Sequence, residues 1–289
     1  MAPSSVFQPG NTAVITGGAS GIGLALAQRC AAHGMRVLIT DWDDELLGKV
    51  AAAAADDGSS IATFKMDVGR LEDWARLQER INGDFGGMIN LLALNAGVGS
   101  PSSFSDAASF RRVLDTNLYG VINGLSTLLG GVQSTAATES GSGPSAIVIT
   151  GSKQGITNPP GNPAYNASKA AVKTLAEQLC FDLRDSANVS VHLLVPGWTF
   201  TGLSGNRPGG GKEKPAGAWW PEQVVDYLEA KMAEGKFYIL CPDNDVDEET
   251  DKKRMLWSVG DVVEGRPALT RWHEEWKTQA QEWMDNQKV

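Results

Sequence analysis

Short runs of consecutive apolar, β-branched residues alternate along this chain with longer stretches in which apolar positions recur every three or four residues. The short runs read as strands at 12–16, 36–40, 61–66, 89–94, 146–150 and 189–195. The longer stretches read as helices at 22–33, 44–55, 71–81, 105–129 and 163–183. Gly34 stops the first of these helices, and a Gly/Ser/Thr-rich loop ending at Gly143-Pro144 follows the fourth. The strand runs are continuously apolar rather than alternating, as expected of parallel strands covered by helices on both faces. Right-handed crossovers between such strands give an open, doubly wound sheet of the α/β class. No repeat of solenoid period divides the chain, so a single domain over 1–289 is expected.

Beyond Pro196 the pattern changes. Residues 204–217, with the run Arg-Pro-Gly-Gly-Gly-Lys-Glu-Lys-Pro, read as a loop. A helix is predicted over 220–234, with Pro221 suited to its first turn, and a seventh strand over 236–241. The organisation expected is therefore a core at 11–203, a substrate loop and lid at about 199–234, the last strand, and a charged tail at 243–289. Trp257, Trp272, Trp276 and Trp283 lie in that tail. The last three are spaced by four and then seven positions, which predicts one helix face packed on the sheet or on another subunit.

Composition narrows the class. In 289 residues that are 42% hydrophobic there is enough apolar side chain for one large core. A net charge of −9 argues against nucleic acid or an anionic membrane as the main partner. No apolar stretch reaches the roughly 20 residues needed to span a bilayer, and residues 1–10 lack the apolar core of a signal peptide. The expected compartment is the reducing cytosol. Cys30, Cys180 and Cys241 have no metal-ligand spacing and read as ordinary thiols, and no metal site is expected.

Three groups of residues carry chemistry. Gly17, Gly21 and Gly23 directly follow the first strand and open the first helix. Glycines there permit a tight turn and let a pyrophosphate approach backbone N–H groups at a helix N-terminus. The spacing, Gly-x-x-x-Gly-x-Gly, differs from the usual dinucleotide fingerprint, and a purely structural turn is the alternative for this segment taken alone. Asp41 follows the second strand, eighteen positions past Gly23. A carboxylate there can accept from both adenosine ribose hydroxyls and would repel a 2′-phosphate. The loop residue Ser20 is uncharged, so both features favour NAD(H) over NADP(H). Capping of the next helix is the alternative role for Asp41 or Asp43. Finally, Tyr165 and Lys169 stand at i and i+4 on one helix face. An ammonium beside a phenol is expected to lower the phenol's pKa and make it a proton donor and acceptor near neutral pH.

These segments, with Asp67-Val68, Asn95-Ala-Gly97, Asn117, Ser152 and Pro196-Gly197, resemble the short-chain dehydrogenase/reductase family in order and spacing over about two hundred residues. The resemblance implies a Rossmann-like fold and a hydride transfer between NAD(H) and a secondary alcohol or ketone. It implies that Tyr165 is the acid/base, that Lys169 lowers its pKa and binds the nicotinamide ribose, and that Ser152 holds the substrate oxygen. Asn117 would position a water relaying protons from Lys169, or stabilise a helix kink, or both. Gly17, Ser20, Gly21, Ile22 and Gly23 would cradle the cofactor. Asp67 and Val68 would line the adenine pocket, Asp67 accepting from the exocyclic amine. Asn95 would stabilise the central sheet, while Ala96 and Gly97 leave room for the cofactor. Pro196, Gly197 and Thr199 would receive the carboxamide, and Thr201 would contact a phosphate. Leu94 departs from the asparagine often found at its position.

The resemblance further implies a homodimer or homotetramer built on the helices at 105–129 and 163–183, acting on a small-molecule alcohol or carbonyl compound. The alternative is a non-catalytic dinucleotide-sensing or binding protein on the same fold, or a lyase or dehalogenase. The full set of Asn117, Ser152, Tyr165 and Lys169 argues against the sensor, and the glycine-rich loop with Lys169 against cofactor-independent chemistry. Trp198, Phe200, Trp219 and Trp220 are candidates for an aromatic wall suited to an apolar, aromatic or alicyclic substrate, with hydrophobic core as their other fate. Residues 209–211 would let the loop act as a lid.

Overall fold

The computed structural model describes residues 6–137, 143–186, 188–205 and 212–289. The three glycines at 209–211, and the first five residues of the stretch read for a signal peptide, lie outside these residues, as do 138–142 of the Gly/Ser/Thr-rich loop.

Seven strands form one sheet: β1 (Thr12–Thr16), β2 (Arg36–Asp41), β3 (Ile61–Lys65), β4 (Leu91–Leu94), β5 (Ser145–Thr150), β6 (Val189–Val195) and β7 (Tyr238–Leu240). Their order is β3-β2-β1-β4-β5-β6-β7 and every pairing is parallel. The order reverses direction between β1 and β4, which leaves a crevice at the carboxyl ends of these strands. The helices between strands are α1 (Gly21–Ala32), α2 (Asp44–Asp57), α3 (Leu71–Phe85), α4 (Ala107–Leu114), α5 (Gly120–Ala137), α6 (Gln154–Thr157), α7 (Pro163–Asp182) and α8 (Pro221–Ala233).

Alternation along each strand explains why the runs are apolar throughout. Ala13 and Ile15 of β1 pack with Leu26 and Cys30 of α1 and with Val224 and Leu228 of α8. Val14, between them, packs on the opposite layer with Trp74 and Leu77 of α3, Leu128 of α5 and Val172 of α7. Burying a side chain of this size stabilises by about 1.5–3 kcal/mol, and both faces of β1 do so. Asn90 adds a polar lock, its Oδ1 accepting the Thr12 N–H at 3.0 Å. Cys30 and Cys241 are buried and Cys180 partly so, and all three are free thiols.

Two predicted elements differ. The helix expected at 105–129 is α4, a π-helical turn at Asp115–Tyr119, and α5, which runs on to Ala137. The turn is held by Asn117, whose bonds are described below. The tail tryptophans do not share one helix. After β7 the chain forms α9 (Glu248–Val263), two 3₁₀ turns at Thr270–Trp272 and Glu274–Trp276, and α10 (Lys277–Asn286). Leu269 at φ 60 and the extended His273 interrupt the periodicity that the spacing implied. Trp257 is the tryptophan that anchors the tail: it is buried, lies edge-on to Trp283 at 5.5 Å, sits beneath Arg266, and donates from Nε1 to Thr270 at 2.9 Å. Among the described residues, no helix is long and apolar enough to cross a membrane.

Candidate active site

A cleft of about 910 Å³ opens at the carboxyl ends of the strands, toward the upper end of the range usual for small-molecule and cofactor sites. At one end Gly17, Ser20, Gly21 and Ile22 line it. No side chain caps α1 there, and its first turn carries no acidic residue. The positive end of the helix therefore faces the cleft, as an anionic pyrophosphate requires. Gly17 and Gly21 adopt left-handed φ values of 64 and 54. Gly23 does not line the cleft. A Cβ on it would stand 2.1 Å from the Gly17 carbonyl oxygen, so its part is the close packing that shapes the loop. Thr201 comes over the loop from the far side, its Cγ2 3.1 Å from where a Gly21 Cβ would be.

Asp41, at the end of β2, lines the same end of the cleft. Its Oδ2 accepts the Ala19 N–H and its Oδ1 the Asp43 N–H, both at 3.2 Å, while Asp43 accepts the Leu46 N–H at 3.1 Å and caps α2. Capping thus belongs to Asp43, and Asp41 is left facing the cleft. Burial pushes the Asp41 carboxyl up, against the pull of its backbone donors. Asp67 and Val68 line the cleft beside it, Asp67 Oδ1 accepting the Gly69 N–H at 2.9 Å. Trp42, Met66 and Thr116, unmarked by any motif, complete this end.

Asn95, Ala96 and Gly97 form the floor. Asn95 donates to the Thr16 carbonyl at 3.1 Å and accepts from Thr150 Oγ1 at 3.1 Å, tying β1 to β5 across β4. Asn117 is fully buried beneath the floor and does not line the cleft. Its Oδ1 accepts the Val98 N–H at 2.8 Å, and its Nδ2 donates to the Val98 carbonyl at 3.0 Å and to Ser168 Oγ at 3.1 Å. One side chain thereby ties the π-helical turn to the segment following Gly97 and to α7. Asn117→Ala removes three hydrogen bonds, two of them to the partly buried Val98 N–H and carbonyl, at about 0.5–1.5 kcal/mol per bond. The expected loss of stability is roughly 3 kcal/mol, read from the denaturant midpoint.

At the other end stand Ser152, Tyr165 and Lys169. Pro163 in the first turn of α7 presents Tyr165 and Lys169 inward. Ser152 and Tyr165 face the same end of the cleft, and the Ser152 hydroxyl acts on the Tyr165 phenol. Burial is the larger influence and pushes the phenol up, and the Ser152 hydroxyl pulls it down. This reverses the sign expected from the Tyr-Lys spacing. The Lys169 ammonium lies 5.8 Å from the ring centroid, donates to the Thr150 carbonyl at 2.8 Å, and is itself held down to about 8 by burial.

Pro196, Gly197, Trp198, Thr199 and Thr201 line the wall opposite. Of the four aromatic residues proposed for a substrate wall, only Trp198 borders the cleft. Phe200 is buried edge-on against Trp220, and Trp219 packs onto Tyr227 and the core. The backbone pairing of 198–200 with Trp219 leaves Trp198 and Thr199 on the cleft and Phe200 and Trp219 off it. The apolar surface beside Tyr165 comes instead from Val98 and Leu203. Lys153 and Gln154 also line the cleft and were missed; position next to Ser152 was the signal that marked them.

A family model described as short chain dehydrogenase matches residues 11–209. Cis-4-hydroxycyclohexanecarboxylate dehydrogenase of Sinomonas cyclohexanicum is 33% identical over 199 residues, which are 68% of this chain and 76% of that protein. The 3beta-hydroxysteroid dehydrogenase 2 of Eggerthella lenta is 32% identical over 197 residues, 67% of this chain and 73% of that protein. Among solved structures, a short chain dehydrogenase/reductase from Burkholderia phymatum in complex with NAD has a TM-score of 0.76 at 26% identity, over 89% of this chain and 96% of that one.

Proposed function

Because the chain belongs to the short chain dehydrogenase family, whose members are oxidoreductases, we propose that it transfers a hydride between NAD(H) and a small secondary alcohol or ketone. The observation that carries this reading is the convergence of Ser152, Tyr165 and Lys169 in the same cleft as the glycine-rich loop. Bound along that cleft, the nicotinamide cofactor would supply or take up the hydride. The chain's own residues manage the oxygen. The Tyr165 hydroxyl gives its proton to a carbonyl oxygen in reduction, and the Tyr165 phenolate takes one from the alcohol in oxidation. The Ser152 hydroxyl donates to the same oxygen and stabilises the negative charge that develops there. A sensor has no use for this pair, which is why turnover is the better reading than binding alone.

Asp41 supports NAD(H) over NADP(H), since a carboxylate at the end of β2 accepts from ribose hydroxyls and repels a phosphate. The related proteins whose names specify cyclohexane and steroid alcohols support an alicyclic substrate, as does the apolar surface of Val98, Trp198 and Leu203. Assembly into a homodimer or homotetramer through α5 and α7 belongs to the same proposal, with Ile122 and Phe181 exposed on these helices.

Titration with NADH and NADPH, followed by cofactor fluorescence, tests the reading. Wild type is expected to prefer NADH, and Asp41→Ala to bind it about 10–100-fold more weakly, as loss of hydrogen bonds to a charged group predicts. Binding of neither nucleotide removes the dehydrogenase reading. Preference for NADPH keeps the enzyme and reassigns Asp41.

A further inference from the structure

The segment beyond β7 reaches the active site through buried charge. Lys153 directly follows Ser152 and precedes α6, and α9 packs against α6. The Lys153 ammonium pairs with Asp251 on α9, and with Asp243 Oδ2 at 3.4 Å. All three side chains are enclosed, none more than 14% exposed. The same Asp243 Oδ2 accepts the Trp198 N–H at 3.0 Å, while Oδ1 accepts the N–H groups of Asp245 and Val246 at 3.1 and 2.9 Å. A Cβ on Gly197 would stand 2.7 Å from Asp243 Oδ2 and 2.8 Å from Lys153 Nζ. Only glycine therefore lets the cluster lie against the cleft wall. One cluster touches the residue after Ser152, the Gly197–Trp198 backbone and α9.

Ion groups are a costly way to fasten a helix, because desolvation offsets most of their attraction, and apolar residues would do it as well. What they add is a defined geometry. We infer that Lys153, Asp243 and Asp251 are positioning residues, through which α9 sets Ser152 against Tyr165 and Trp198 into the cleft wall. The inference rests on the roles proposed above for Ser152 and Tyr165. On this account the C-terminal segment is part of the catalytic unit, although it lies wholly beyond the family match at 11–209.

The test is the double variant Lys153→Met/Asp251→Leu. It replaces the buried pair by apolar side chains, and Asp243 keeps its three backbone donors, so the fold is expected to persist. Thermal melting, NADH binding by fluorescence and reduction of cyclohexanone are compared with wild type. A folded variant with NADH affinity within about threefold and kcat lower by about 10²-fold supports the inference, since a displacement near 1 Å costs that much. A folded variant with wild-type kcat overturns it. Absence of cyclohexanone reduction by wild type counts against the proposed reaction alone. The inference is then decided by hydrogen exchange in peptides covering 150–156 and 196–199. Faster exchange there, with β1 unchanged, supports it, and unchanged exchange overturns it. If the double variant does not fold, Asp251→Asn, which keeps the shape and removes one charge, is read by the same measurements.

Discussion

Tyr165→Phe is expected to lower turnover by about 10³-fold, within the range that general acid–base groups supply, with NADH affinity within about threefold of wild type. The ring is 8% exposed and packs with Val113 and Ala164, and phenylalanine keeps those contacts. Only the hydroxyl is removed, a change worth no more than about 0.5–1.5 kcal/mol of stability, so the fold stays intact. The pH dependence should move with it. Because burial holds the phenol above its ordinary value, the protonated form needed for carbonyl reduction is present at neutral pH. Reduction by wild type should decline only as pH rises through the raised pKa, and alcohol oxidation should climb over the same interval. Both limbs vanish in the variant. Steady-state rates in the two directions against pH, with NADH binding in parallel, check this. A residual rate within tenfold of wild type would move the proton to another group.

How far the chain could be read without its structure follows from the distance over which each residue acts. Parallel strands declare themselves in consecutive residues, since each side chain of a run such as Ala13-Val14-Ile15 is buried on one face or the other. Tyr165 and Lys169 are neighbours on one helix, so their spacing put them in the same place. Asn117 was readable as a candidate but not as the maker of a π-helical turn, because its partners, Val98 and Ser168, are 19 and 51 positions away. The wall of the cleft was misjudged for a related reason. Four aromatic residues near the Pro196-Gly197 segment look alike in sequence, and the pairing of 198–200 with Trp219, some twenty positions on, decides which of them faces inward. Lys153 met its carboxylates across 90 positions and more, and no local pattern announces such a pair.

The phenol's partner gives the second large effect. Lys169 is 4% exposed, and its ammonium donates to the Thr150 carbonyl at 2.8 Å. Burial brings its pKa down to about 8, whereas an unfolded chain holds a lysine near 10.4. Between these values the unfolded chain carries the extra proton, so stability rises as pH climbs from about 8 to about 10.4. Below 8 both states are charged and the cost of the buried ammonium is felt in full, roughly 3 kcal/mol at 1.36 kcal/mol per unit. Lys169→Met removes that charge, keeps an unbranched stem, and leaves the Thr150 carbonyl without its donor at about 1–3 kcal/mol. The variant should therefore match or exceed wild-type stability at pH 7 by up to about 2 kcal/mol, while turnover falls by 10²-fold or more. Urea midpoints of both proteins at pH 7, 8, 9 and 10 read the difference directly. The advantage of the variant should shrink as pH rises and wild type sheds its proton. A difference that stays flat across this interval would mean that the ammonium is not held at a cost. In that case Lys169 would be an ordinary structural lysine. A shrinking difference together with lost turnover would mark a group kept against the stability of the fold, as expected of residues retained for chemistry.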